Sequence, residues 1–332
     1  MGKFSKSPFF IVGSPRSGTT LLQTLLDGNS ALSIPPESHI FDRFGELFEA
    51  YGDLNQPACL KIFVGDLLGD ERIKRWELNI TPEDFCRSLE SKSLPGIISH
   101  LFELYAQRHG KSRWGDKTPE HTFCLEQIHL FFPQALFIHL IRDGRDVAES
   151  LGRMFFGPVT IDRKALLWKK HLNAFEIFEK RYPNLCLTVH YEELVHDPSL
   201  ILRRILNFMG ESSSEVSLQI PDTSLKQVYL KTDDSTHRSL GEAVTDKKVG
   251  IYKQKLKPRE IEIFEAIAGD ELAKNGYPLE SSGKESLHPG EKFLFFLIHQ
   301  TRFLKKLSHF DYVRDRLQYH LRKFTLKIRG GR

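Results

Sequence analysis

Residues 9–22 read Phe-Phe-Ile-Val-Gly-Ser-Pro-Arg-Ser-Gly-Thr-Thr-Leu-Leu, an apolar run that enters a glycine-rich turn and opens directly into a helical pattern. The unpaired N–H groups at the start of a helix, together with the positive end of the helix dipole, hold an anion. Gly13 and Gly18 allow the backbone to close around such a group. The stretch therefore predicts a strand, a phosphate-binding loop and a helix over residues 19–28 that packs on the sheet.

The loop has the glycine spacing of a Walker A motif without its lysine. Thr19 stands where that motif needs the Lys that reaches the β- and γ-phosphates of a nucleotide. A P-loop kinase or NTPase is therefore disfavoured, although it remains the alternative enzyme class. Arg16 supplies a positive charge from within the loop, and its planar guanidinium suits a phosphate or a sulfuryl group. The competing interpretation is an ordinary strand-to-helix turn with a surface arginine.

Residues 15–20 resemble the 5′-phosphosulfate loop of the sulfotransferases that use 3′-phosphoadenosine 5′-phosphosulfate (PAPS). The similarity is greatest to the branch that contains the tyrosylprotein sulfotransferases and many bacterial enzymes. It implies that the loop amides and the Arg and Thr side chains bind the phosphosulfate bridge, and that the arginine stabilises charge during transfer. The cosubstrate-binding residues implied here are Pro15, Arg16, Ser17, Gly18, Thr19 and Thr20.

The composition is typical of a globular protein with a substantial core, because 40% of the 332 residues are hydrophobic and 27% are charged. This length suits one large domain or two small ones. A formal net charge of +4 is too small to indicate a nucleic-acid partner. Residues 284–332 carry 12 Lys or Arg against 4 Asp or Glu, a net of +8 that leaves −4 on the remainder. We predict a sulfotransferase domain over residues 1–282 and a basic extension over 283–332.

The cysteines and the apolar runs bear on metals, redox state and membranes. Cys59, Cys86, Cys124 and Cys186 have neither the spacing of a zinc site nor that of a disulfide framework. The first six residues lack the apolar stretch of a signal peptide, and the apolar run Phe293 to Ile298 is too short to cross a bilayer. We expect reduced thiols, a cytoplasmic location, no metal and no transmembrane segment.

Two candidate bases follow the loop. Two prolines within residues 34–41 fix an extended approach and present Glu37 and His39 on a loop or short strand. The tyrosylprotein sulfotransferases have a Glu at the same distance after the loop arginine, so the resemblance implies that Glu37 is the catalytic base. His39 is the rival, because the cytosolic small-molecule enzymes use His and its ordinary pKa lies near neutrality. A solvated loop carboxylate is the remaining interpretation of Glu37.

Residues 114–121 resemble the lysine-bearing signature that precedes a helix in this family. Thr118 or Asp116 can cap that helix, with Pro119 in its first turn. The resemblance implies that Lys117 reaches the transferring sulfuryl group and the leaving phosphate oxygen. A solvated surface lysine is the competing interpretation.

A second anion-binding motif begins with the apolar run of residues 135–141, which predicts a parallel strand covered on both faces. Residues 142–150 continue this strand through a tight turn into a helix. They resemble the family's 3′-phosphate motif, which implies that Arg142 and Ser150 hold the ribose 3′-phosphate of PAPS. The alternative is a structural ion-pair corner.

The intervening and later segments mostly predict helices. Residues 41–107 form a mostly helical insertion, which the resemblance assigns to the acceptor cleft. Later elements are predicted as a long amphipathic helix over 162–182, a strand over 185–190, and helices over 198–209 and 258–274. The long helix is expected to bury four apolar side chains, namely Leu166, Leu167, Phe175 and Phe178.

Two further cosubstrate contacts are implied by resemblance alone. Tyr191 begins a Tyr-Glu-x-Leu segment whose Tyr can approach the nucleotide in this family. Residues 232–250 match a mobile segment that commonly ends in Gly-x-Trp-Lys or Gly-x-Trp-Arg. Tyr252 replaces the usual Trp here, so Lys253 is the weaker of the two assignments.

A 3-4 spacing of apolar residues predicts a basic amphipathic helix within residues 290–328. Its apolar row consists of Phe303, Leu307, Phe310, Leu317, Leu321 and Phe324. Docking on the acidic body or on a second subunit is favoured, and an anionic membrane surface is the alternative.

The sequence thus predicts an α/β fold with a central parallel sheet flanked by helices, and an enzyme that transfers a sulfuryl group from PAPS to an acceptor hydroxyl. Glu37, Lys117 and Arg16 are the expected catalytic residues. The acceptor is a saccharide, a tyrosine or a small natural product. Besides a kinase or NTPase, the alternative is a nucleotide-binding module without activity.

Overall fold

The strand that enters the phosphate loop lies at the centre of a parallel sheet. The computed structural model describes residues 6–154, 157–212, 244–281, 287–306, 317 and 319–326. Five strands run in the order β2-β3-β1-β4-β5, and every neighbouring pair is parallel. The strands are β1 (Phe9–Val12), β2 (Leu32–Ser33), β3 (Arg113–Lys117), β4 (Leu136–Ile141) and β5 (Cys186–His190). The predicted α/β architecture is confirmed.

Helices cover both faces of this sheet. The first group is α1 (Thr19–Asp27), α2 (Ile40–Phe44), α3 (Pro57–Leu68), α4 (Glu71–Lys74), α5 (Pro82–Ser88), α6 (Leu94–Arg108) and α7 (Leu125–Phe131). The second group is α8 (Gly144–Gly152), α9 (Ile161–Arg181), α10 (Tyr191–His196), α11 (Pro198–Met209), α12 (Tyr252–Lys255), α13 (Pro258–Lys274) and α14 (Pro289–Lys306). Short 3-10 helices span Gly45–Tyr51, Pro119–Phe123 and Pro183–Leu185.

The residues of β1 alternate between two cores, as expected for a strand covered on both faces. Phe10 and Val12 face a large core built with the helical insertion. Phe9 and Ile11 face a second core, which contains apolar residues of α1 and α11. The sheet thus holds the carboxyl end of β1, and with it the phosphate loop, between two rigid layers.

Strands β2 and β3 were not predicted from the sequence, because neither contains a long apolar run. The segment Arg113–Lys117 contains charged residues and a glycine, yet all five of its residues are buried beside β1. The predicted helix after it is the 3-10 helix Pro119–Phe123, and Thr118 does not cap that helix through its side chain. Thr118 Oγ1 instead accepts a hydrogen bond from the N–H of Ser38 at 3.2 Å, which ties the Glu37 loop to β3.

The long helix α9 appears where it is predicted, but one of its inward assignments is wrong. Phe175 and Phe178 are buried, whereas Leu166 is 38% exposed. The core position in that turn belongs to Trp168, whose indole N–H donates to the backbone oxygen of Arg142 at 3.0 Å. This contact anchors the end of β4 to α9.

The basic extension contacts the body, but not through the described residues of its apolar row. Among the three members of that row with described side chains, Leu317, Leu321 and Phe324 are all more than half exposed. Leu326, on the opposite side of the segment 319–326, is buried in the large core. These three residues therefore do not dock on the body, and contact of the row with a second subunit or with a membrane surface stays a prediction. The side chains of Phe303, Leu307 and Phe310, and the domain boundary at 282/283, lie outside the described part.

Candidate active site

The phosphate loop closes tightly because two of its positions have no room for a side chain. Gly13 has φ 145°, and a Cβ there would lie 2.4 Å from the backbone oxygen of Leu140 on the neighbouring strand. Gly18 has φ 94°, and a Cβ there would lie 2.5 Å from the ring of Tyr191. Both backbone conformations favour glycine. The loop therefore packs directly against β4 and against the aromatic ring at the start of α10.

Arg16 joins the loop after β1 to the motif after β4. Its backbone is in the left-handed region, with φ 74°, which is costly for a residue other than glycine. The Arg16 Nε donates to Ser150 Oγ at 3.0 Å. Arg142 approaches from the end of β4, where its Nη1 donates to the backbone oxygen of Arg16 at 3.4 Å. The residues predicted for the two anion-binding motifs thus form one continuous surface at the carboxyl edge of β1 and β4.

Arg142 is held in place by groups from three other segments. Its guanidinium lies 4.5 Å from the ring centroid of Tyr191, a cation–π distance. Its Nη2 donates to the backbone oxygen of Lys248 at 2.5 Å. The same Nη2 lies 3.6 Å from a carboxylate oxygen of Asp146. These contacts fix the orientation of the Arg142 guanidinium, which is buried.

The segment 244–255 contacts the site through its backbone. Asp146 accepts hydrogen bonds from the N–H groups of Gly250 at 2.8 Å and Tyr252 at 2.9 Å. The ammonium of Lys253 pairs instead with Glu280 at 2.6 Å and is largely exposed. The structure therefore does not bring Lys253 together with Arg142, and sequence reasoning missed Asp146 and the Lys248 carbonyl.

The loop residues form an environment that fits an anion. Pro15 and Ser17 lie in the turn, where the N–H of Ser17 donates to the backbone oxygen of Ser14 at 3.1 Å. Thr19 is the first residue of α1, so the helix N-terminus faces the loop. Ser17 Oγ and Arg142 Nε are buried and have no hydrogen-bond partner among the described residues. Buried polar atoms normally have partners, so these two are available to a bound anion.

Lys117 brings the candidate base to the phosphate loop. It ends β3 beside Ile11 of β1, and its side chain is fully buried. The Lys117 Nζ donates to Thr20 Oγ1 at 3.2 Å and forms a close ion pair with Glu37 Oε1. The interpretation of Lys117 as a solvated surface lysine is therefore wrong. A single ammonium bridges the loop and the carboxylate predicted as the base.

The other oxygen of Glu37 faces His39, which is itself surrounded by carboxylates. His39 Nε2 lies 3.3 Å from Glu37 Oε2, and its Nδ1 lies 3.0 Å from Asp42 Oδ2 and 4.0 Å from a carboxylate oxygen of Glu120. Burial lowers the pKa of His39, but Asp42, Glu37 and Glu120 outweigh it and hold that pKa well above its ordinary value. His39 is therefore an imidazolium at neutral pH.

Glu37 is surrounded by cations instead, and these lower its pKa. Burial raises the pKa of Glu37, but Lys117 and then His39 outweigh it and hold that pKa well below its ordinary range. The Glu37 side chain remains about one third exposed, at 32%. Glu37 is accordingly a carboxylate that is both ionised and reachable, so it is not the unpaired solvated carboxylate of the competing interpretation.

A second buried histidine, His121, lies between two carboxylates, and its Nε2 accepts a hydrogen bond from the backbone N–H of Phe41 at 3.2 Å. His121 Nδ1 lies 2.9 Å from Asp116 Oδ2, and its Nε2 lies 3.3 Å from Asp42 Oδ1. Burial lowers the pKa of His121, but Asp116 and Asp42 raise it to about 9. The sequence shows Asp116 and His121 within the lysine-bearing signature, but no local pattern indicates that Asp42 separates two histidines.

Within the described residues, no set of three or more His, Cys, Asp or Glu residues is arranged to hold a metal ion. No helix in the same ranges has the length and apolar character needed to cross a membrane. The four cysteines lie in the described part and all are free thiols.

The fold and the site define an α/β enzyme that binds an anionic group at a glycine-rich loop after its first strand, with a second anion-binding motif after the neighbouring strand. A model of the sulfotransferase family matches residues 8–215, and the chain belongs to this family. Its activity is sulfuryl transfer.

Relatives are similar to this chain in sequence, and solved structures are similar to it in fold. Protein-tyrosine sulfotransferase 1 of Danio rerio is 25% identical over 283 residues, which are 81% of this chain and 71% of the relative. The sulfotransferase domain of the Synechococcus PCC 7002 olefin synthase has a TM-score of 0.55 and 25% identity, over 83% of this chain and 97% of that domain. The sulfotransferase domain from the curacin biosynthetic pathway has a TM-score of 0.57 and 20% identity, over 83% and 99% of the two chains. These structures share the P-loop-like fold.

Proposed function

We propose that this sulfotransferase takes its sulfuryl group from PAPS and transfers it to an acceptor hydroxyl, with Glu37 accepting the hydroxyl proton. The observation that carries the proposal is the position of Lys117. Its buried ammonium touches both Thr20 of the phosphate loop and the Glu37 carboxylate. A cation shared in this way suits a reaction in which a negatively charged group is transferred beside a base.

The donor assignment rests on the two anion-binding motifs meeting at one edge of the sheet. A donor with a 5′-phosphosulfate and a 3′-phosphate requires two separated cationic groups, which Arg16 and Arg142 supply. The unpartnered Ser17 Oγ supplies a further hydrogen bond to the 5′ group. Tyr191, packed between Gly18 and Arg142, lies where a nucleotide would contact it. Lys253 has the weakest support, since its ammonium pairs with Glu280.

The choice of Glu37 over His39 rests on their charges. A base needs a free lone pair, and an imidazolium has none. The carboxylates around His39 keep it protonated, whereas Lys117 and His39 keep Glu37 ionised. Asp42 therefore acts as a positioning residue, because it holds His39 charged and oriented toward Glu37.

Charge on the donor adjusts the strength of this base. A carboxylate with a very low pKa is a weak base, since efficient bases have a pKa near the working pH. Negative sulfuryl oxygens beside Lys117 compete with Glu37 for the ammonium, which raises the pKa of Glu37 toward a useful range. Transfer then forms the bond from acceptor oxygen to sulfur and breaks the bond from sulfur to the phosphate oxygen. The acceptor proton passes to Glu37, and Lys117 and Arg16 stabilise the charge left on the leaving phosphate.

The acceptor is proposed only as a hydroxyl compound: a saccharide, a peptidyl tyrosine or a small natural product. Glu120, with a side chain that is 42% exposed, and Asp42 lie beside His39 near the candidate base. These carboxylates disfavour an acceptor that carries its own negative charge close to the reacting oxygen. We also infer a cytoplasmic location, with the four free thiols as its support.

One experiment separates the proposal from its alternatives. The purified chain is incubated with PAPS labelled in the sulfuryl group and a panel of simple alcohols, sugars and phenols, and labelled sulfate esters are separated from the donor. Transfer without added Mg²⁺, and tighter binding of adenosine 3′,5′-bisphosphate than of ATP in calorimetry, are the expected results. Preference for ATP with a Mg²⁺ requirement would indicate a kinase or NTPase. Tight bisphosphate binding with no turnover on any acceptor would indicate a nucleotide-binding module.

A further inference from the structure

The two helical segments of the C-terminal extension each rest on the body by one face. In α14, Phe295 packs against the core formed by α8, α9 and α13. The Glu291 carboxylate pairs with both the Nε and Nη2 atoms of Arg259, each at 2.8 Å. These contacts set which side of α14 faces solvent.

The solvent side of α14 is strongly apolar. Four consecutive large side chains apart from Phe295 are between 44% and 65% exposed, namely Phe293, Leu294, Phe296 and Leu297. At 3.6 residues per turn these four positions cover one broad arc, which lies opposite Phe295.

The last described segment repeats this arrangement on a different part of the body. The Arg322 guanidinium lies 4.3 Å from the ring centroid of Phe44, and Lys323 pairs with Glu46 at 3.0 Å. Leu326 is buried on the same side. The opposite side of the segment consists of Leu317, Leu321 and Phe324, which are 54%, 60% and 63% exposed.

The exposed apolar surface is concentrated in the extension. Fourteen large apolar side chains are exposed among the described residues, and seven of them belong to these two faces. Contiguous exposed apolar surface on an otherwise well-packed protein usually marks a contact with another molecule or with a membrane. Both faces are outward because the opposite side of each helix is already occupied by the body.

We propose that these two faces bind the surface of an anionic lipid membrane. The charge of the extension decides between a membrane and a second copy of the chain. Residues 284–332 carry a net +8. A symmetric contact between two extensions would bring these like charges together, whereas anionic headgroups are complementary to them. Membrane binding through these faces is independent of the donor, the acceptor and the identity of the base.

Vesicle binding by the full chain tests the proposal. The wild-type protein is mixed with vesicles of phosphatidylcholine, with or without about 30 mol% phosphatidylglycerol, and the bound fraction is measured after sedimentation. We expect binding to the anionic vesicles, and weaker binding when salt is raised. Phe293→Ser combined with Phe296→Ser should weaken this binding by at least about tenfold, because the double variant lacks two aromatic side chains that the lipid would otherwise bury.

A matched control uses exposed apolar residues on the body. Leu130→Ser combined with Ile177→Ser, at 75% and 63% exposure on α7 and α9, should leave vesicle binding unchanged. All variants should keep the wild-type melting temperature, since the altered side chains face solvent. Equal binding by wild type and the Phe293/Phe296 variant, or no binding to anionic vesicles, would overturn the proposal. A concentration-dependent dimer that the same variant abolishes, without vesicle binding, would assign the faces to a second copy instead.

Discussion

The Nε of Arg16 donates a hydrogen bond to Ser150 Oγ at 3.0 Å, across 134 positions of sequence. Arg16 belongs to the loop after β1, and Ser150 lies in α8, after the neighbouring strand β4. Because the two strands are adjacent and parallel, their carboxyl ends meet at one edge of the sheet. The contact joins the two anion-binding motifs through one hydrogen bond.

Coupling between Arg16 and Ser150 should be measurable in a double-mutant cycle. Arg16→Ala and Ser150→Ala are expected to be non-additive by about 0.5–3 kcal/mol for binding of adenosine 3′,5′-bisphosphate, as for residues in one hydrogen-bonded network. Isothermal calorimetry on the four proteins gives this value. The cycle of Arg16→Ala with Lys253→Ala is the control and should be additive, because Lys253 pairs with Glu280. Additivity in both cycles would show that the motifs act separately.

Arg142 should distinguish ligands that have a 3′-phosphate from ligands that lack one. Arg142→Ala is expected to weaken binding of adenosine 3′,5′-bisphosphate by about 1.5–3 kcal/mol, the value of a charge-assisted hydrogen bond, while barely changing the affinity for adenosine 5′-phosphosulfate. Lys253→Ala should alter neither affinity appreciably. Equal losses for the two ligands in the Arg142 variant would reject its assignment to the 3′-phosphate.

Glu37→Gln should lower kcat by about 10²–10⁴-fold, the usual contribution of a general base, with PAPS affinity nearly intact. His39→Asn should cost far less, because His39 orients Glu37 and does not itself accept the proton. Both variants are compared on one aliphatic alcohol, since a phenol needs less help from a base. Thermal unfolding of each variant checks that the buried Lys117 tolerates the change. Near-normal turnover by the Gln variant, with an inactive Asn variant, would reverse the two roles.

Asp42→Asn should change the pH dependence of the reaction. In the wild type, the raised pKa of His39 keeps this imidazole charged until the pH rises through that value. Removing the Asp42 carboxylate lowers the pKa of His39, so the charge opposite Glu37 is lost at a lower pH.

The pH at which kcat/KM changes on the alkaline side should therefore lie about one pH unit lower in the Asp42 variant. Glu120→Gln, at the longer distance of 4.0 Å from His39 Nδ1, should cause a smaller displacement. A uniform loss of activity with an unmoved alkaline limb would mean that Asp42 only supports the local structure.

Two buried histidines outside the site should make the fold sensitive to acid. Burial lowers the pKa of His139 to about 3 and that of His171 to about 4. In the unfolded chain these histidines bind protons below the ordinary histidine pKa of about 6.5. In the folded chain they bind protons only near their lowered pKa values. Their contribution to stability is complete above that pH and is lost as the pH falls toward the folded values.

Urea unfolding between pH 7 and pH 5 should reveal this effect through His139→Gln, a substitution that keeps a polar side chain but removes the titration. The wild-type free energy of unfolding should fall more steeply than that of the variant, by up to about 1.4 kcal/mol per pH unit. Parallel pH profiles for the two proteins would contradict the assignment.

The local motifs of this protein were predictable from its sequence. An apolar run, a glycine-rich turn and an amphipathic helix follow one another within residues 9–28, and a similar unit occupies 136–152. Strand and helix patterns depend on side chains a few positions apart, so contiguous sequence contains enough information to identify them. The parallel sheet and the two anion-binding motifs follow from these units.

The partners of the catalytic side chains depended on the tertiary structure. Lys117 and Glu37 are 80 positions apart, and they meet because β3 pairs with β1 in the register that places Lys117 beside Ile11. No local pattern marks β3 as a strand, because its charged and glycine residues are buried only by their neighbours in the sheet.

The choice between Glu37 and His39 was likewise open in the sequence, where both residues stand in one short loop. Burial and the charges of Lys117, Asp42 and Glu120 leave the glutamate ionised and the histidine protonated. The outward direction of Leu321 and Phe324 was also decided by the fold, since Arg322 and Leu326 occupy the side that meets the body. Spacing along a chain shows which side chains share a face. Which face is covered, and which carboxylate lies beside which cation, depends on distances and burial that exist only in the folded protein.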